Sequence, residues 1–518
     1  MQDTSANNKR IAKNTLLLYF RMFITMAIGL YTSRVVLDIL GISDYGIYNV
    51  VGGVITMATF LNSAMVSATQ RFMSYELGSG DFLSQNKVFC SSINIHFIVC
   101  LIIFLLAETL GLWFVNSQLN IPEERVVAAN WVYQASITSF VINVISIPYN
   151  SLIVAHERMS AFAYISIIEV ILKLIIVYLL LVIPFDKLIC YSIMMVIVAF
   201  IIRLCYTIYC KRHFKESIYH LNLYDKQLLR KMFSFAGWSL LGNLGFSFKD
   251  QCSNILVNIF FGPTVNAARS VGLHVSTLIN TFATNFTMAM APQITKQYAA
   301  GNIEESRKLV FAGSRYSFYL LSIISVPVFL NIDYVLDLWL VEVPEFASDF
   351  LKLSLLTSLL FALSRCVTTA IQATGNVKWF QIGVSIILLS ELPAAWILLK
   401  IGFPPYSVMW PTVFTYLIAV FFRFFIIRYY LPEYDFKEYF IYVVLRCLGI
   451  LAISYYISLQ LFQGFDVSFS SFLITSFASL IITTITIFFL GINHNERIFI
   501  IDKIEDSFNF LCKRFLHR

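Results

Sequence analysis

Charged residues are scarce in this sequence: Asp, Glu, Lys and Arg make up only 13% of its 518 residues. Soluble domains carry about 25%. Hydrophobic residues make up 58%, and the mean hydropathy is +0.75. Apolar runs of the roughly 20 residues that cross about 30 Å of hydrocarbon recur from Asn14 almost to the C-terminus. The scarcity of charge therefore excludes a soluble protein and predicts a multi-pass membrane protein.

Other absences exclude whole classes of function. The sequence has no GxxxxGK[ST] phosphate loop, which excludes direct drive by ATP within this chain. Its nine cysteines and seven histidines lack the spacing of a zinc site or a disulfide framework, so we predict no metal centre and no bound cofactor. The loops between apolar runs are too short for a catalytic domain, which predicts that the protein is not an enzyme. The net charge of +7 resides largely in short loops, where it sets orientation rather than binding nucleic acid.

The apolar runs predict an all-α membrane protein of about fourteen helices, with two six-helix bundles related by a pseudo-two-fold axis and a C-terminal pair. The alternation of basic and acidic loops places both termini in the cytoplasm. The predicted domains are residues 1–210, a cytoplasmic linker 211–234, residues 235–430, and residues 431–518 with the last two helices and a tail. The predicted spans are residues 14–38, 46–67, 89–114, 128–153, 162–183, 188–210, 235–260, 265–290, 311–332, 350–372, 378–400, 407–430, 438–462 and 469–491.

An internal repeat appears at a constant offset of 221 residues. It pairs Gly41 with Gly262 and Gly80 with Gly301, and further matches keep the same register without a gap. Because six spans separate the copies, they have the same orientation in the membrane and form a parallel repeat. Binding sites of transporters form where such repeats meet, so we expect a substrate pathway between the two bundles.

Charges inside the spans are the candidate site residues, since a charge at the bilayer centre costs about 2.5–3.5 kcal/mol and usually faces protein or a wet cavity. The cations predicted to bind an anionic group are Arg21, Lys249, Arg269 and Arg365. Asp250 and Glu391 are predicted to bind a coupling Na⁺ or H⁺, or to balance charge. Glu169 and Lys173, four apart on one helical face, are expected to neutralise each other. Lys249 and Asp250 are adjacent and point about 100° apart, so we expect no simple pair between them.

Helix-breaking residues mark candidate hinges, where lost backbone hydrogen bonds permit bending. The candidates are Pro148, Gly237, Gly242 and Gly245. For the glycines, close packing of helices through small residues is an equally good interpretation.

Two stretches carry a resemblance to a known family: NTLLLYFR at residues 14–21 and LGISDYGIY at residues 40–48. With the two six-span repeats and the extra pair, the chain resembles the bacterial polysaccharide flippases of the multidrug/oligosaccharidyl-lipid/polysaccharide exporter (MOP) superfamily, which are of the Wzx type. The resemblance implies a carrier of undecaprenyl-diphosphate-linked oligosaccharide across the inner membrane by alternating access. It also implies diphosphate contacts by Arg21 and Arg269, whereas the prediction for Lys249 and Arg365 rests on charge alone.

The implied partners are the lipid-linked oligosaccharide, membrane lipid, a polysaccharide polymerase and glycosyltransferases, with coupling to Na⁺, H⁺ or the membrane potential. Two other functions remain open. A cation-coupled multidrug exporter of the same superfamily would need a site of the opposite polarity. A membrane enzyme of glycan assembly would need essential polar residues on the outer loops.

Overall fold

The computed structural model describes residues 2–56, 59–117, 121–220, 223, 225–340, 343–463, 468–493 and 496–498. These residues are helical with short connections and contain no strand, which confirms the predicted all-α class. The helices are α1 Gln2–Thr56, α2 Thr59–Ser79, α3 Phe82–Leu106, α4 Leu112–Ser117, α5 Val126–Ala155, α6 Met159–Leu179, α7 Lys187–His213, α8 Lys226–Ala299, α9 Ile303–Leu330, α10 Ile332–Trp339, α11 Ala347–Thr374, α12 Lys378–Leu389, α13 Glu391–Ile401, α14 Met409–Tyr430, α15 Phe436–Tyr439, α16 Arg446–Phe462 and α17 Phe469–Thr486.

Within the described residues, eleven helical stretches are long and apolar enough to cross a membrane. Short π-helical turns at Ala107–Gly111 and Phe440–Leu445 join α3 to α4 and α15 to α16, so each pair reads as one continuous span. The count of fourteen spans and the cytoplasmic termini remain predictions. Most of the predicted cytoplasmic tail, and residues 57 and 58 of the second predicted span, lie outside the described residues.

The two longest helices, α1 and α8, are each interrupted at one glycine. Gly41 in α1 has φ 77° and ψ 167°, and Gly262 in α8 has φ 81° and ψ −176°. This is backbone that L-residues with a Cβ rarely adopt. The next repeat pair, Gly80 and Gly301, also has matching positive φ angles of 81° and 77°. The paired glycines therefore share a backbone conformation as well as a sequence offset, which supports the predicted repeat.

The chain divides into two compact units that alternate along the sequence. The first contains residues 1–248, 288–306 and 369–386, and the second contains residues 249–287, 307–368 and 387–518. In the first unit, α5 packs against α7, α2, α3 and α1, and α6 packs against α1. In the second, α16 packs against α17, and the buried ring of Tyr439 stacks on that of Phe424 at 4.4 Å. The predicted domains are continuous segments and remain a prediction.

A buried carboxylate, Glu157, links three segments of the first unit just after α5. Its side chain is 0% exposed and accepts hydrogen bonds from Arg10 Nε and Lys296 Nζ at 2.7 Å and from Gln293 Nε2 at 2.6 Å. Its backbone carbonyl accepts one from Asn14 Nδ2 at 3.2 Å. Glu157 itself has φ 60°. The start of α1, the loop after α5 and the end of α8 are thus held by one side chain.

The four hinge candidates all lie in the first unit. Helix α5 continues through Pro148, and α8 stays helical through the three glycines. A Cβ on Gly242 would overlap the Gln381 side chain, and one on Gly245 would lie 3.0 Å from Ser385 Oγ. A Cβ on Gly237 would meet no atom within 4 Å. Close packing against α12 therefore accounts for Gly242 and Gly245, while bending at any of the four remains a prediction.

Candidate functional site

Arg21 lies on α1 in the first unit and is partly buried. Its guanidinium carbon lies 4.5 Å from the centre of the Phe162 ring on α6, and Glu169 and Tyr206 are its electrostatic neighbours. A guanidinium over an aromatic face is stabilised by the ring quadrupole while its edge stays available for hydrogen bonds. Arg21 therefore packs against α6 within the first unit.

The first unit contains an open cavity of about 440 Å³. The predicted pair between Glu169 and Lys173 is confirmed at 2.6 Å and forms part of the cavity wall. Because the pair is neutral overall, the cavity offers hydrogen bonds rather than net charge. Its other polar lining residues are Asn62, Ser136, Ser139, Asn143 and Ser192, and its aromatic ones are Tyr48 and Phe140. Hydroxyl and amide groups beside aromatic rings suit a ligand rich in hydroxyl groups.

Lys249 lies in an ionic cluster of the second unit that is buried except at Asp250, whose side chain is 39% exposed. Its Nζ is 3.3 Å from Glu391 Oε1 and 3.1 Å from Asp250 Oδ1. The side chains of Lys249 and Glu391 are only 3% and 1% exposed. The expectation that Lys249 and its sequence neighbour would not pair is wrong, because the four-carbon lysine stem reaches past the angle between their Cβ atoms. Ser253 donates a further hydrogen bond to Glu391 at 3.3 Å.

Arg269 joins the edge of this cluster from the part of α8 after Gly262. It is 2% exposed, donates a hydrogen bond to Asn254, and has Asp250 and Glu391 as electrostatic neighbours. Two cations and two carboxylates therefore face one another here. The arrangement favours charge balance as the role of Asp250 and Glu391. Direct contact of Lys249 and Arg269 with a ligand remains a prediction.

A second group of cations lies on α11 and α14 of the same unit. Arg365, partly exposed, donates to Thr284, and its guanidinium carbon lies 4.7 Å from the Phe361 ring centre. Arg423 is 4% exposed, lies 5.3 Å from the same ring centre, and donates to Ser364 Oγ at 2.9 Å. Its Nε has no hydrogen-bond partner and, among the described residues, no carboxylate lies within 4.0 Å of its guanidinium.

The structure thus brings Lys249, Asp250, Glu391 and Arg269 together, with Arg365 in the same unit and Arg21 in the other. Sequence reasoning missed Arg423, which lies inside the apolar run of the twelfth predicted span. The signal was available, since an arginine flanked by FF on both sides is a charge well inside a span. In the described part of the chain, no group of three or more His, Cys, Asp or Glu residues is placed to hold a metal ion.

Comparison with known proteins agrees with this architecture. The MatE family model matches residues 239–397. No curated protein has a significantly similar sequence. The outward-facing structure of a multidrug resistance MATE family transporter of the MOP superfamily is 14% identical, with a TM-score of 0.71 over 83% of this chain and 97% of that one. The bent form of the Vibrio cholerae MATE transporter VcmN is 17% identical, with a TM-score of 0.69 over 84% and 99%.

A third similar structure is a MOP superfamily transporter from Pyrococcus furiosus, described as having a binding pocket of reverse polarity that suggests a different function. It is 13% identical, with a TM-score of 0.68 over 82% of this chain and 96% of that one. At such identities the likeness establishes the fold. The chain therefore has the fold of the MATE transporters of the MOP superfamily.

Proposed function

We propose that this protein is a transporter of the bacterial inner membrane that moves an undecaprenyl-diphosphate-linked oligosaccharide outward by alternating access, for surface polysaccharide synthesis. It would act between glycosyltransferases, which supply the lipid-linked glycan, and a polymerase, which consumes it. The fold supports a transporter and the sequence resemblance supports the lipid-linked cargo.

The observation that supports an anionic cargo is the burial of Arg423 without an acidic partner. A buried guanidinium with no carboxylate in ion-pair range is costly, because desolvation of the charge is not repaid by an opposite charge. Arg365 adds a second positive charge beside the same Phe361 ring. An anionic group on the exposed side of Arg365 would gain charge-assisted, bidentate hydrogen bonds and relieve the repulsion between the two arginines. A cationic drug would instead be repelled by these two positive charges.

The cavity of the first unit supports the glycan part of the cargo. Its serine and asparagine side chains provide both donors and acceptors, as sugar hydroxyls require. Arg21, above Phe162, adds a positive charge to the same unit, which we propose attracts the diphosphate. The lipid tail would remain in the bilayer, and transport would draw on an ion gradient or the membrane potential.

The test replaces the chromosomal copy by variants and measures surface polysaccharide and drug resistance in parallel. Arg423→Gln is expected to lower surface polysaccharide about tenfold or more, since loss of one of the two positive charges that attract the anionic group costs about 2 kcal/mol, and to leave drug resistance unchanged. Arg446→Gln is the matched control, because Arg446 is partly exposed and donates to the carbonyl of Leu490 at 2.6 Å. Membrane levels of each variant are compared by immunoblot.

A multidrug exporter is the alternative function, and the solved structures with this fold favour it. It predicts the reverse result: Arg423→Gln would leave surface polysaccharide intact and change drug resistance. That outcome, with normal membrane levels of the variant, would reject the flippase.

A further inference from the structure

The ionic cluster of the second unit contains the oxygen ligands of a monovalent-cation site. Glu391 Oε1 and Asp250 Oδ1 converge on one point, and the Ser253 hydroxyl oxygen lies 3.3 Å from Glu391 Oε1. Glu391 is the first residue of helix α13 and is 1% exposed. Its second oxygen, Oε2, is buried and has no hydrogen-bond partner in the described part of the chain. The oxygen atoms of this cluster are hard ligands of the kind that Na⁺ prefers.

Lys249 Nζ fills the point on which the two carboxylate oxygens converge. A carboxylate as deeply buried as Glu391 must be protonated or hold a cation, because an isolated charge at this depth is strongly destabilised. An ammonium and a sodium ion carry the same charge, and both are bound by converging oxygen atoms. They therefore compete for one position, and a tethered ammonium needs no ion from solution.

We propose that Lys249 is a built-in counter-cation that occupies a monovalent-cation site formed by Glu391, Asp250 and Ser253. The protein consequently does not bind sodium at this cluster, and the cluster is not where a sodium gradient is coupled to transport. The inference concerns the ion and holds whichever cargo the protein carries. It also accounts for the presence of two carboxylates in predominantly apolar stretches of α8 and α13.

Removing the lysine side chain should convert the cluster into a sodium site. Lys249→Ala leaves the two carboxylates and the Ser253 hydroxyl around a space that an alkali ion can enter. The double variant Lys249→Ala/Glu391→Gln removes the main ligand as well. Lys352→Ala is the matched lysine control, since Lys352 lies 3.5 Å from Asp349 but is 45% exposed.

The experiment measures thermal unfolding of the purified full-length chain in detergent at pH 8, with sodium chloride exchanged for choline chloride at constant ionic strength. Ligands that bind only the folded state raise its unfolding temperature. Lys249→Ala should unfold about 5 °C higher in 200 mM sodium than in choline, as expected for sodium well above its dissociation constant. Wild type, Lys352→Ala and the double variant should shift by less than about 1 °C.

Two results would overturn the proposal. One is a sodium-dependent wild type whose dependence is lost in Glu391→Gln, which would mean that the cluster binds sodium despite Lys249. The other is a folded Lys249→Ala variant with no more sodium dependence than the double variant. If Lys249→Ala cannot be isolated, wild type and Glu391→Gln decide the matter: sodium independence of both supports the proposal, and dependence in wild type alone rejects it.

Discussion

Replacing Glu157 by alanine is expected to destabilise the first unit by about 3 kcal/mol, because its side chain is the shared acceptor for Arg10, Gln293 and Lys296. Breaking a buried ion pair from one side costs about 3–5 kcal/mol. Lys296 is 21% exposed and retains some water, which argues for the lower end of that range. Arg10 is 49% exposed, so its own pair contributes at most about 1 kcal/mol.

Mutations separate the contribution of the Glu157 charge from those of its individual partners. Glu157→Gln keeps an acceptor for the Gln293 amide and should cost about 2 kcal/mol, because only the charge is lost. Arg10→Ala should cost about 0.5 kcal/mol. The double variant Glu157→Ala/Lys296→Ala should be less destabilised than the sum of its single variants, since it leaves no buried ammonium without a carboxylate.

The assay is thermal unfolding in detergent at one heating rate, with the order of the variants taken as the result. Glu157→Ala should unfold about 5 °C below wild type, and Arg10→Ala within about 1 °C of it. Glu124→Ala, an exposed carboxylate near the start of α5, serves as the control. An unfolding temperature for Glu157→Ala equal to that of Glu124→Ala would refute the shared-acceptor explanation.

Four further variants are tested by the same unfolding measurement. Gly262→Ala should lower the unfolding temperature by about 2 °C although no atom lies within 4 Å of the new Cβ, because its φ of 81° strains an L-residue by about 1–2 kcal/mol; an unchanged temperature would contradict this. Gly78→Ala should destabilise the folded protein by about 1–3 kcal/mol, because the new Cβ would lie 2.6 Å from a carbonyl oxygen of α8. Gly237→Ala should stabilise it by about 0.5–1 kcal/mol, because this Cβ would lie in open space and alanine favours a helix more than glycine does. Burial would raise the pKa of Glu216, but its hydrogen bonds, above all the one with His156, outweigh burial and hold the pKa below its ordinary 4.5. The ionised Glu216 carboxylate therefore stabilises the folded state fully above pH 4.5, and this contribution is lost as the pH falls through the folded-state pKa. Glu216→Gln should therefore flatten the acid side of the stability profile.

Features that depend on local or periodic patterns could be predicted from the sequence. Hydropathy predicted the all-α class because a helix is the form in which an apolar segment satisfies its own backbone inside a bilayer. Spacing of four residues predicted the pair between Glu169 and Lys173, because residues four apart lie on one helical face. The offset of 221 residues predicted that Gly41 and Gly262 would be equivalent, and they have similar positive φ angles of 77° and 81°.

Features that depend on distant parts of the chain could not be predicted. Lys249 was expected to face an anion because its nearest acid in the sequence pointed elsewhere, but its buried partner, Glu391, comes from a helix far along the chain. Glu157 carried no signal because it lies in a short loop, where a carboxylate is ordinarily solvated. In the folded chain, Gln293 and Lys296, more than 130 residues away, donate hydrogen bonds to this carboxylate. Pairing of this kind is set by tertiary packing.

The matched interruptions at Gly41 and Gly262 give the molecule an internal reference for measuring bending. Each helix can change direction at one residue without disturbing the turns on either side, since a single glycine absorbs the change in φ and ψ. Spin labels placed on both sides of one glycine, and at the positions 221 residues away around the other, would report on two equivalent joints in the same molecule. A difference between the two distance distributions during transport would show which repeat moves, without a second protein for comparison.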